Sequence, residues 1–506
     1  MNELLAAFSD PALRSRLVDD VLTLLQASVL CYFAAMSTIS MVVGYLGLRT
    51  MRTTARLGSA APLADLLAYD AHKPVSILVP AYNEAGSIVE SVRSFLRLRF
   101  PEFEVIVVSD GSTDDTIERL TEAFALVEQQ QIYPERIRTS PVRRVLRSLR
   151  HPNLVVVEKE NGGKGDALNA ALNLSRFPLI CTVDADSLLE AEALLRASRH
   201  FLDDETVIAV GGSIRPLNGA TVHAGQVTGL HLPQRWIERF QIVEYARSFF
   251  TGRVGWGSVN ALPIISGAFG MFRRDRVLTV GGYRTETVGE DLELVLRLHR
   301  HHREQRIPYR IVSLPEPMCW TEVPSDWASL RRQRNRWQRG LWEALWIHRG
   351  MFLNPRYGRL GTLSLPFLWL FEAISPFVEM VGYVLLPVAL VLGALEGEFA
   401  LLFLSLAMAY GALLSMMAVG VEMLLLHRYP TLRERVVLLV ASLVEVIGYR
   451  QVLVLERFLA NFQVWSKRGT WGKARRLGIR SVEPAAAGAG AGPAAAAERE
   501  RARRSA

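Results

Sequence analysis

The sequence predicts an α/β domain with a mainly parallel β-sheet, inserted between transmembrane helices. Between residues 74 and 350, short apolar runs alternate with segments of helical periodicity, which is the pattern of a parallel sheet with helices on both faces. Each apolar run ends in polar residues, and the carboxyl ends of parallel strands form the binding crevice of an open α/β sheet. Long apolar segments lie before and after this region, so the domain is expected to sit against a membrane.

Length and composition fit a protein with a soluble part and a membrane part. The chain has 506 residues, too many for one ordinary hydrophobic core, and its mean hydropathy of +0.17 is high for a soluble enzyme. The net charge is +8, but arginines beside apolar segments are typical of membrane flanks, and no nucleic-acid-binding signature accompanies them. We therefore expect a lipid bilayer, and no nucleic acid, among the partners. The three cysteines lack metal-ligand spacing, which favours a reducing compartment for the soluble part.

Apolar length predicts three transmembrane helices, at residues 21–48, 373–395 and 400–426. The first follows a short N-terminal segment, residues 1–20, and lacks the cleavage site of a signal peptide. It is therefore interpreted as a retained anchor. Residues 351–372 are predicted to lie in the membrane interface.

Residues 436–463 leave two interpretations open. Four charged residues interrupt their apolar character, namely Glu445, Arg450, Glu456 and Arg457. A charge at the centre of a bilayer costs about 2.5 to 3.5 kcal/mol on insertion scales. An amphipathic helix in the interface is favoured, with a fourth span as the alternative.

The distribution of basic residues favours three spans. Arg49 and Arg52 follow the first span, and "SKRGTWGKARR" follows the last apolar region, so the positive-inside rule places both on the cytoplasmic face. Three spans satisfy both placements with the N-terminus outside, whereas four would put the basic stretch outside. The soluble domain, residues 74–350, is then cytoplasmic. Residues 482–506 are low in complexity and predicted to be disordered.

Four strand-like runs organise the soluble domain. "PVSILVPAYNE" predicts a buried strand at residues 75–79 that runs into a loop, and "SIVESVRSFLRL" predicts the helix after it. "FEVIVVSDGSTDDT" predicts a second strand, a polar turn and a helix start capped by Thr113 or Asp114. "NLVVVEK" and "PLICTVDAD" predict two more strands. The basic segment 128–150 predicts an insertion, either a solvated loop and helix or a face resting on anionic lipid head groups.

Two aspartates end the last of these runs. Asp184 and Asp186 stand two positions apart, and alternating strand geometry would turn both carboxylates to the same side. Two such carboxylates repel unless a cation or a proton lies between them. A hard divalent ion that carries phosphate oxygens fits this requirement. Two solvated aspartates at a strand end are the alternative.

Polar residues after the second and third runs offer ligand contacts. Asp110 can accept a hydrogen bond from a ring N–H or a ribose hydroxyl, while residues 112–115 are interpreted as a turn and helix cap. In "NGGKGDALN", the glycines let the backbone approach a ligand, and Lys164 offers a cation to phosphate. A glycine-rich loop of this kind is a weak signal when it stands alone.

Two further motifs carry candidate chemistry. Glu290 and Asp291 begin an amphipathic helix, where the helix dipole favours an ionised carboxylate that can cap the helix or serve as a general base. In "RRQRNRWQRG", Gln333, Arg336 and Trp337 fall on one helix face. An arginine there can fork onto phosphate oxygens, and an indole can stack on a sugar. A charged helix at the membrane entry, with an interfacial tryptophan, is the alternative.

Taken together, these segments resemble the family 2 glycosyltransferases, specifically the membrane-embedded processive synthases of cellulose, hyaluronan and poly-N-acetylglucosamine. The resemblance runs from about Val75 to Gly340 and is carried by an ordered set of motifs: "PAYNE", "SDGSTDDT", "NGGKGDALN", "DAD", "SGAFGMFRRD", "GED" and "QRNRW". It implies a nucleotide-diphospho-sugar transferase fold, a Rossmann-like sheet inserted between transmembrane helices.

The resemblance also implies roles for individual residues. On the donor side it implies a nucleotide pocket made by Tyr82, Glu84, Asp110, Lys164 and Asp184. Asp184 and Asp186 would form a D-x-D element, with Asp186 binding Mg2+ or Mn2+ on the diphosphate. Asp291 would deprotonate the acceptor hydroxyl. The acceptor end and the diphosphate would be bound by Gln333, Arg336, Trp337, Ser266, Gly267 and Glu290.

The implied function is inverting, metal-dependent transfer of a sugar from a UDP-sugar to a growing β-linked polysaccharide, processive and coupled to export. The location would be a bacterial-type inner membrane, with several spans and a cytoplasmic catalytic domain. The resemblance slightly favours N-acetylglucosamine as the donor sugar, and an unseen regulatory or export partner fits the picture. Residues 219–260 contain an amphipathic segment expected near a pore. The alternatives are transfer of one sugar to a lipid carrier and a catalytically idle envelope receptor or scaffold.

Overall fold

A computed structural model describes residues 11–58, 72–130, 132–391, 397–426 and 431–464, together with residues 393, 429 and 466. The predicted tail at 482–506 and most of the basic stretch before it lie outside these residues, as do the first ten positions of the predicted N-terminal segment.

The described strands form one large sheet and one hairpin. They are β1 (Val75–Ala81), β2 (Phe103–Asp110), β3 (Leu126–Glu128), β4 (Val142–Ser148), β5 (Leu154–Lys159), β6 (Leu179–Thr182), β7 (Ser187–Leu189), β8 (Val207–Pro216), β9 (Ala220–His223), β10 (Gln226–Leu230), β11 (Gly270–Arg273) and β12 (Arg310–Thr321). The large sheet has the order β3-β4-β5-β2-β1-β6-β11-β8-β12-β7, and β9 pairs with β10.

Parallel strands form the part of the sheet that the sequence predicted. β5, β2, β1 and β6 lie side by side and are all parallel, and β8 is parallel to β12. Antiparallel strands complete the sheet: β11 lies between β6 and β8, β3 and β4 form one edge, and β7 forms the other. The predicted α/β class with a large, mostly parallel sheet is therefore confirmed.

The helices cover the sheet and continue into the apolar part of the chain. They are α1 (Pro11–Gly58), α2 (Ile88–Leu96), α3 (Thr116–Phe124), α4 (Lys164–Leu174), α5 (Ala193–Asp203), α6 (Trp236–Ala246), α7 (Val254–Ser258), α8 (Arg274–Thr279), α9 (Glu290–Glu304), α10 (Trp327–Ile347), α11 (Leu365–Phe367), α12 (Ser375–Val391), α13 (Gly397–Leu426), α14 (Leu432–Val444) and α15 (Tyr449–Asn461). Turns of π-helix lie at Arg247–Arg253, Leu360–Ser364 and Leu368–Ala373.

Alternation along β1 explains why helices pack on both faces of the sheet. Ile77 and Val79 are fully buried in one apolar cluster with Phe95 of α2. Leu78 points to the opposite face, into a second cluster with Leu168 of α4. Full burial of such a side chain stabilises the fold by about 1.5 to 3 kcal/mol, so a strand with apolar side chains on both faces favours the centre of a three-layer fold.

The basic segment 128–150 differs from the prediction. A solvated loop and helix were expected, but residues 142–148 form β4, antiparallel to β5. Val145 and Leu146 are buried against the sheet, whereas Arg143 and Arg144 are exposed. The segment therefore forms a strand because Val145 and Leu146 pack against the sheet beside β5. The exposed arginines between them and the start of the strand make this pattern difficult to recognise in the sequence.

One helix within the described residues, Thr23–Thr53, is long and apolar enough to cross a membrane. Two bent helix pairs are also long and apolar enough to cross a membrane when each pair is taken together. Their bends are 42° after Ala373 and 51° after Val444. If each bent pair is one span, the described part of the chain has up to three. The predicted set of spans at 21–48, 373–395 and 400–426 stays a prediction.

The four charged residues between positions 445 and 457 have partners on other elements. Glu445 pairs with Arg247 and with Ser415 Oγ. Glu456 pairs with Arg331 of α10 at 2.8 Å. Two further pairs are Arg457–Glu372 at 3.1 Å and Arg450–Glu379 at 3.7 Å. These contacts attach the C-terminal helices to α10, to α12 and the π-helical turn before it, and to the segment after α6. They explain the charges in an otherwise apolar region.

Candidate active site

The loops after β1 and β2 are joined by hydrogen bonds at the carboxyl edge of the sheet. Thr113 N donates to Asn83 Oδ1 at 2.7 Å, and Asn83 N donates to Ser112 Oγ at 3.2 Å. Ala85 N donates to Asp114 Oδ2 at 3.1 Å, and Asp114 Oδ1 accepts from Thr116 N at the start of α3. The "PAYNE" and "SDGSTDD" motifs therefore form one rim of the crevice.

Tyr82 and Glu84 lie on this rim. The Tyr82 side chain is 44% exposed. The Glu84 carboxylate accepts from Ser87 Oγ at 3.0 Å, and Glu84 N donates to Thr116 Oγ1 at 3.0 Å. The rim thus presents an open aromatic ring beside a carboxylate that is anchored next to α2, which suits contacts with a flat base.

Asp110 is enclosed by the protein rather than open to the crevice. It is 3% exposed, and its Oδ1 lies 2.6 Å from Nζ of the fully buried Lys159. Gly162 N donates to Oδ1 at 3.0 Å and Gly163 N donates to Oδ2 at 2.8 Å. Lys159 also pairs with Asp166 at 2.5 Å. The carboxylate of Asp110 therefore holds the glycine-rich loop, a contact that the sequence did not predict.

Lys159 was missed at the level of sequence. It ends β5, whereas the glycine-rich pattern favours Lys164, five positions further along the chain. A lysine at the end of a strand-like run, with one acidic residue at the end of the adjacent strand, was the available signal. Asp166 Oδ1 and Oδ2 accept from Ser140 N at 3.2 and 3.1 Å, so the same buried cluster also fixes the basic segment before β4.

The glycine-rich loop runs directly into α4. Gly163 has a φ of +89°, a backbone conformation that residues with a side chain rarely adopt. At Gly165, a Cβ would lie 2.5 Å from Arg284 O. The two glycines let the loop pass under residue 284 and place Lys164 at the first position of the helix.

Lys164 joins three of the predicted motifs. Its Nζ lies 2.7 Å from Asp184 Oδ1 and 3.1 Å from Glu290 Oε1. Burial lowers the pKa of Lys164, but Asp184, Glu290 and Asp291 outweigh this effect and raise the pKa above its usual value. A Cβ at Gly267 would lie 2.6 Å from the same Nζ. Lys164 is therefore a protonated cation at the point where the glycine loop, the D-x-D element and the "GED" motif meet.

The two aspartates of "DAD" have different surroundings, because β6 ends at Thr182, before both of them. The expectation that strand alternation turns them to one side does not apply. Asp184 faces Lys164 and its side chain is 30% exposed. Asp186 is 5% exposed, and its Oδ1 accepts from Ser187 Oγ at 3.3 Å and from Thr321 Oγ1 at 3.5 Å.

Asp291 lies in the first turn of α9. Its Oδ2 accepts from Gly267 N at 3.2 Å, and its Oδ1 accepts from Leu292 N at 2.8 Å. Burial raises the pKa of Glu290, although Lys164 opposes this effect. Ser266, Gly267 and both carboxylates line one small cavity. The structure therefore brings the "SGAFG" and "GED" motifs together.

Two contacts hold α10 against the loop before Asp291, one between backbones and one through a side chain. A Cβ at Gly340 would lie 2.9 Å from Gly289 Cα, so the two glycines are in direct backbone contact. Glu343, one turn further along α10, accepts from Thr287 Oγ1 and from Val288 N, both at 2.9 Å. The position of Trp337 relative to Asp291 is fixed by these contacts. Glu343 was not predicted, since nothing near it in the sequence marks a role.

Gln333, Arg336 and Trp337 lie on one face of α10, which runs from Trp327 to Ile347. The Trp337 side chain is 44% exposed. Arg336 and Gln333 are half-buried, and Gln333 Oε1 is buried with no hydrogen-bond partner among the described residues. The helix starts with a capped turn, in which Asp326 Oδ1 accepts from Ser329 N at 2.8 Å.

Tyr245 lies on α6 beside Glu244, which pairs with Arg334 of the "QRNRW" helix. Burial raises its pKa to about 12, and the charges of Arg334, Glu244, Arg253 and Asp186 also act on it. The sequence did not single it out, because a tyrosine in an amphipathic segment carries no distinguishing pattern.

The donor set suits a hard divalent ion that also binds phosphate. Among the described residues no group of three or more His, Cys, Asp or Glu side chains converges. Asp184 and Asp186 supply two carboxylates, and Mg2+ is commonly bound by one or two carboxylates together with substrate phosphates. The residues present therefore fit an ion that arrives with a diphosphate, rather than a cage built by the protein alone.

Two family models match the chain. One, described as glycosyl transferase family 2, matches residues 76–275. The other, described as glycosyl transferase family group 2, matches residues 179–416. Together they match residues 76–416.

Similar curated proteins include poly-β-1,6-N-acetyl-D-glucosamine synthases. That of Staphylococcus aureus (strain MSSA476) is 26% identical over 301 residues, which are 59% of this chain and 61% of the relative. That of Staphylococcus epidermidis is 26% identical over 271 residues, 54% of this chain and 55% of the relative. The chain thus spans less than two thirds of the length of these relatives. Among solved structures, the mannosyltransferase PcManGT from Pyrobaculum calidifontis, in complex with GDP-Man and Mn2+, is 20% identical with a TM-score of 0.49; the match covers 84% of this chain and 99% of that one.

Proposed function

We propose that this chain, which belongs to the family 2 glycosyltransferases, transfers a sugar from a UDP-sugar to a growing β-linked polysaccharide at a membrane. The contacts of Lys164 carry the proposal. One cation touches Asp184 and Glu290 and lies beside Asp291, while backbone contacts fix the tryptophan helix to the same loop. A donor diphosphate, an acceptor hydroxyl and an acceptor sugar ring would each find a suitable group there.

On the donor side, the ring of Tyr82 would contact the uracil base beside Glu84. Asp110 would act through the glycine-rich loop that it holds, with Lys164 facing the diphosphate. Asp184 and Asp186 would hold Mg2+ or Mn2+, which supplies positive charge to the diphosphate when it is bound.

On the acceptor side, Asp291 would take the proton from the attacking hydroxyl. The oxygen then bonds to the anomeric carbon as the bond from that carbon to the diphosphate breaks, and UDP leaves with the electron pair. Because attack and departure occur on opposite faces, an α-linked donor gives a β-linked product. Lys164 and Arg336 would stabilise the charge on the leaving UDP, with Gln333 beside them. Trp337 would stack on the acceptor sugar, and Ser266, Gly267 and Glu290 would border the acceptor end.

N-Acetylglucosamine is the proposed donor sugar, supported by the names of the similar synthases. We further propose that sugars are added repeatedly and that the product is exported through the apolar helices. The protein would lie in a bacterial-type inner membrane, with several spans and a cytoplasmic catalytic domain. The apolar helix Thr23–Thr53 supports membrane association. A further regulatory or export partner belongs to the same proposal.

A screen of UDP-sugars tests this function. Purified full-length protein is incubated with each UDP-sugar and either Mn2+, Mg2+ or a chelator, and UDP release and product size are measured. We expect UDP release from UDP-N-acetylglucosamine that requires a divalent ion and yields long products. Products of a single added sugar would instead support transfer to a lipid carrier. Absence of both UDP binding and UDP release would favour an idle scaffold and reject the proposal.

A further inference from the structure

We propose that Arg334 is a positioning residue that fixes the indole of Trp337 for the acceptor sugar, and that Glu244 and Tyr449 hold Arg334 in place. The proposal rests on the proposed function, because the acceptor role of Trp337 belongs to it. Arg334 stands inside "QRNRW", but neither its charge nor its spacing had suggested a role.

The guanidinium of Arg334 lies over the ring of Trp337, with its central carbon 4.2 Å from the ring centroid. Trp337 nevertheless stays 44% exposed. One face of the indole is thus covered by a cation and another part is open. A cation over an indole face is attracted by the ring electrons, so the contact favours one orientation of a side chain that would otherwise be mobile at a surface.

The orientation of Arg334 is itself fixed by a two-point contact. Its Nη1 lies 2.8 Å from Glu244 Oε1, and its Nη2 donates to Glu244 Oε2 at 2.9 Å. The arginine is 4% exposed. A planar guanidinium bound at both terminal nitrogens has one plane and one direction, so the contact with Glu244 also fixes the group that lies over the indole.

Tyr449 connects this pair to the C-terminal helices. Its hydroxyl donates to Glu244 Oε2 at 2.9 Å, and its ring lies 5.0 Å from that of Phe240 on α6. Tyr449 is the first residue of α15, directly after Gly448, which has a φ of +82°. The 51° bend between α14 and α15 therefore places the tyrosine against α6 and α10.

Stability alone is a poor explanation of this arrangement. A buried ion pair adds little net stability over apolar side chains of similar volume, because both charges lose their hydration. Instead, Glu244 of α6 accepts directional hydrogen bonds from Arg334 of α10 and Tyr449 of α15. Arg334 in turn lies over the indole. The position of the ring is thereby coupled to the helices that follow the catalytic domain.

Steady-state kinetics of the full-length protein in nanodiscs test the proposal. Arg334→Lys keeps the charge but loses the planar fork, and Tyr449→Phe removes one hydroxyl. Arg332→Lys is the matched control, because Arg332 is exposed on the same helix and donates to Ser329 Oγ at 3.0 Å. With a β-1,6-linked N-acetylglucosamine oligosaccharide as acceptor, we expect the acceptor KM to rise about tenfold in Arg334→Lys and about threefold in Tyr449→Phe. The Kd for UDP-N-acetylglucosamine should stay within about twofold in all three variants.

A second readout does not require activity. Fluorotryptophan is incorporated, and the fluorine resonance of Trp337 is assigned by its loss in Trp337→Phe. We expect this resonance to shift or broaden in Arg334→Lys and Tyr449→Phe and to stay unchanged in Arg332→Lys. An unmoved resonance in both test variants, or an unchanged acceptor KM in active enzyme, overturns the proposal. If the wild type releases no UDP, the proposed function fails, while the resonance still decides whether Arg334 fixes the indole.

Discussion

Replacing Gly340 with alanine tests the contact that joins the tryptophan helix to the loop before Asp291. A Cβ at this position would lie 2.9 Å from both Cα and N of Gly289, whereas ordinary contacts begin at 3.4 Å, a difference of 0.5 Å. The obstacle is backbone, so no side chain can swing aside. We therefore expect α10 to move away from the loop by about half an ångström.

The expected magnitudes follow from this displacement. Alanine in a helix interior is normally favoured over glycine by about 1 kcal/mol, but forced overpacking costs about 1 to 3 kcal/mol. We expect a net loss of stability of up to about 2 kcal/mol. A misplacement of about 1 Å in an active site can cost about 100-fold in rate, so half that distance between Trp337 and Asp291 should lower the rate of transfer roughly tenfold.

The assay compares UDP release and thermal unfolding of Gly340→Ala with those of Gly350→Ala. Gly350 is exposed, and no atom lies within 4 Å of the position of its Cβ. The control should therefore keep both the rate and the unfolding temperature of the wild type. If Gly340→Ala also behaves like the wild type, the glycine contact does not set the geometry of the site.

Two further predictions concern buried charges. Lys159→Met leaves Asp110 and Asp166 buried without their cation, so the free energy of unfolding should fall by about 3 to 5 kcal/mol. The control Lys73→Met removes a half-buried donor to one carbonyl and should lower the free energy of unfolding by less than about 1.5 kcal/mol. Equal effects of the two variants in denaturant unfolding would contradict the role of the cluster. Burial lowers the pKa of His299 to about 4. The unfolded chain binds the proton near pH 6.5, so the free energy of unfolding should decrease between about pH 6.5 and pH 4, by up to about 3 kcal/mol. His299→Gln should flatten this pH dependence, measured by thermal unfolding at several pH values. An unchanged slope in the variant would contradict the assignment to His299.

Local patterns were sufficient to predict the centre of the fold. β1, β2, β5 and β6 are apolar at successive positions, and each leads into a polar loop, so both the strands and the edge that carries the site follow from the sequence. The start of α9 was likewise predictable, since Glu290 and Asp291 precede an amphipathic run. These features depend on neighbours in the chain.

Features that depend on distant parts of the chain were not predictable. β11 inserts antiparallel between β6 and β8, and no local pattern encodes that pairing. Asp110 was assigned to a ligand, yet the burial of Lys159 beside it turns the carboxylate towards the glycine-rich loop. The side on which Asp184 and Asp186 lie was wrongly argued from strand alternation, because the strand ends before them.

The role of Asp291 is the most direct test of the proposed chemistry. Purified wild type and Asp291→Asn are compared with UDP-N-acetylglucosamine and Mn2+, and donor binding and UDP release are measured on the same samples. We expect equal donor affinity and loss of nearly all UDP release in the variant. Substantial turnover by Asp291→Asn would contradict this expectation, since a general base whose removal leaves the reaction running is not the base.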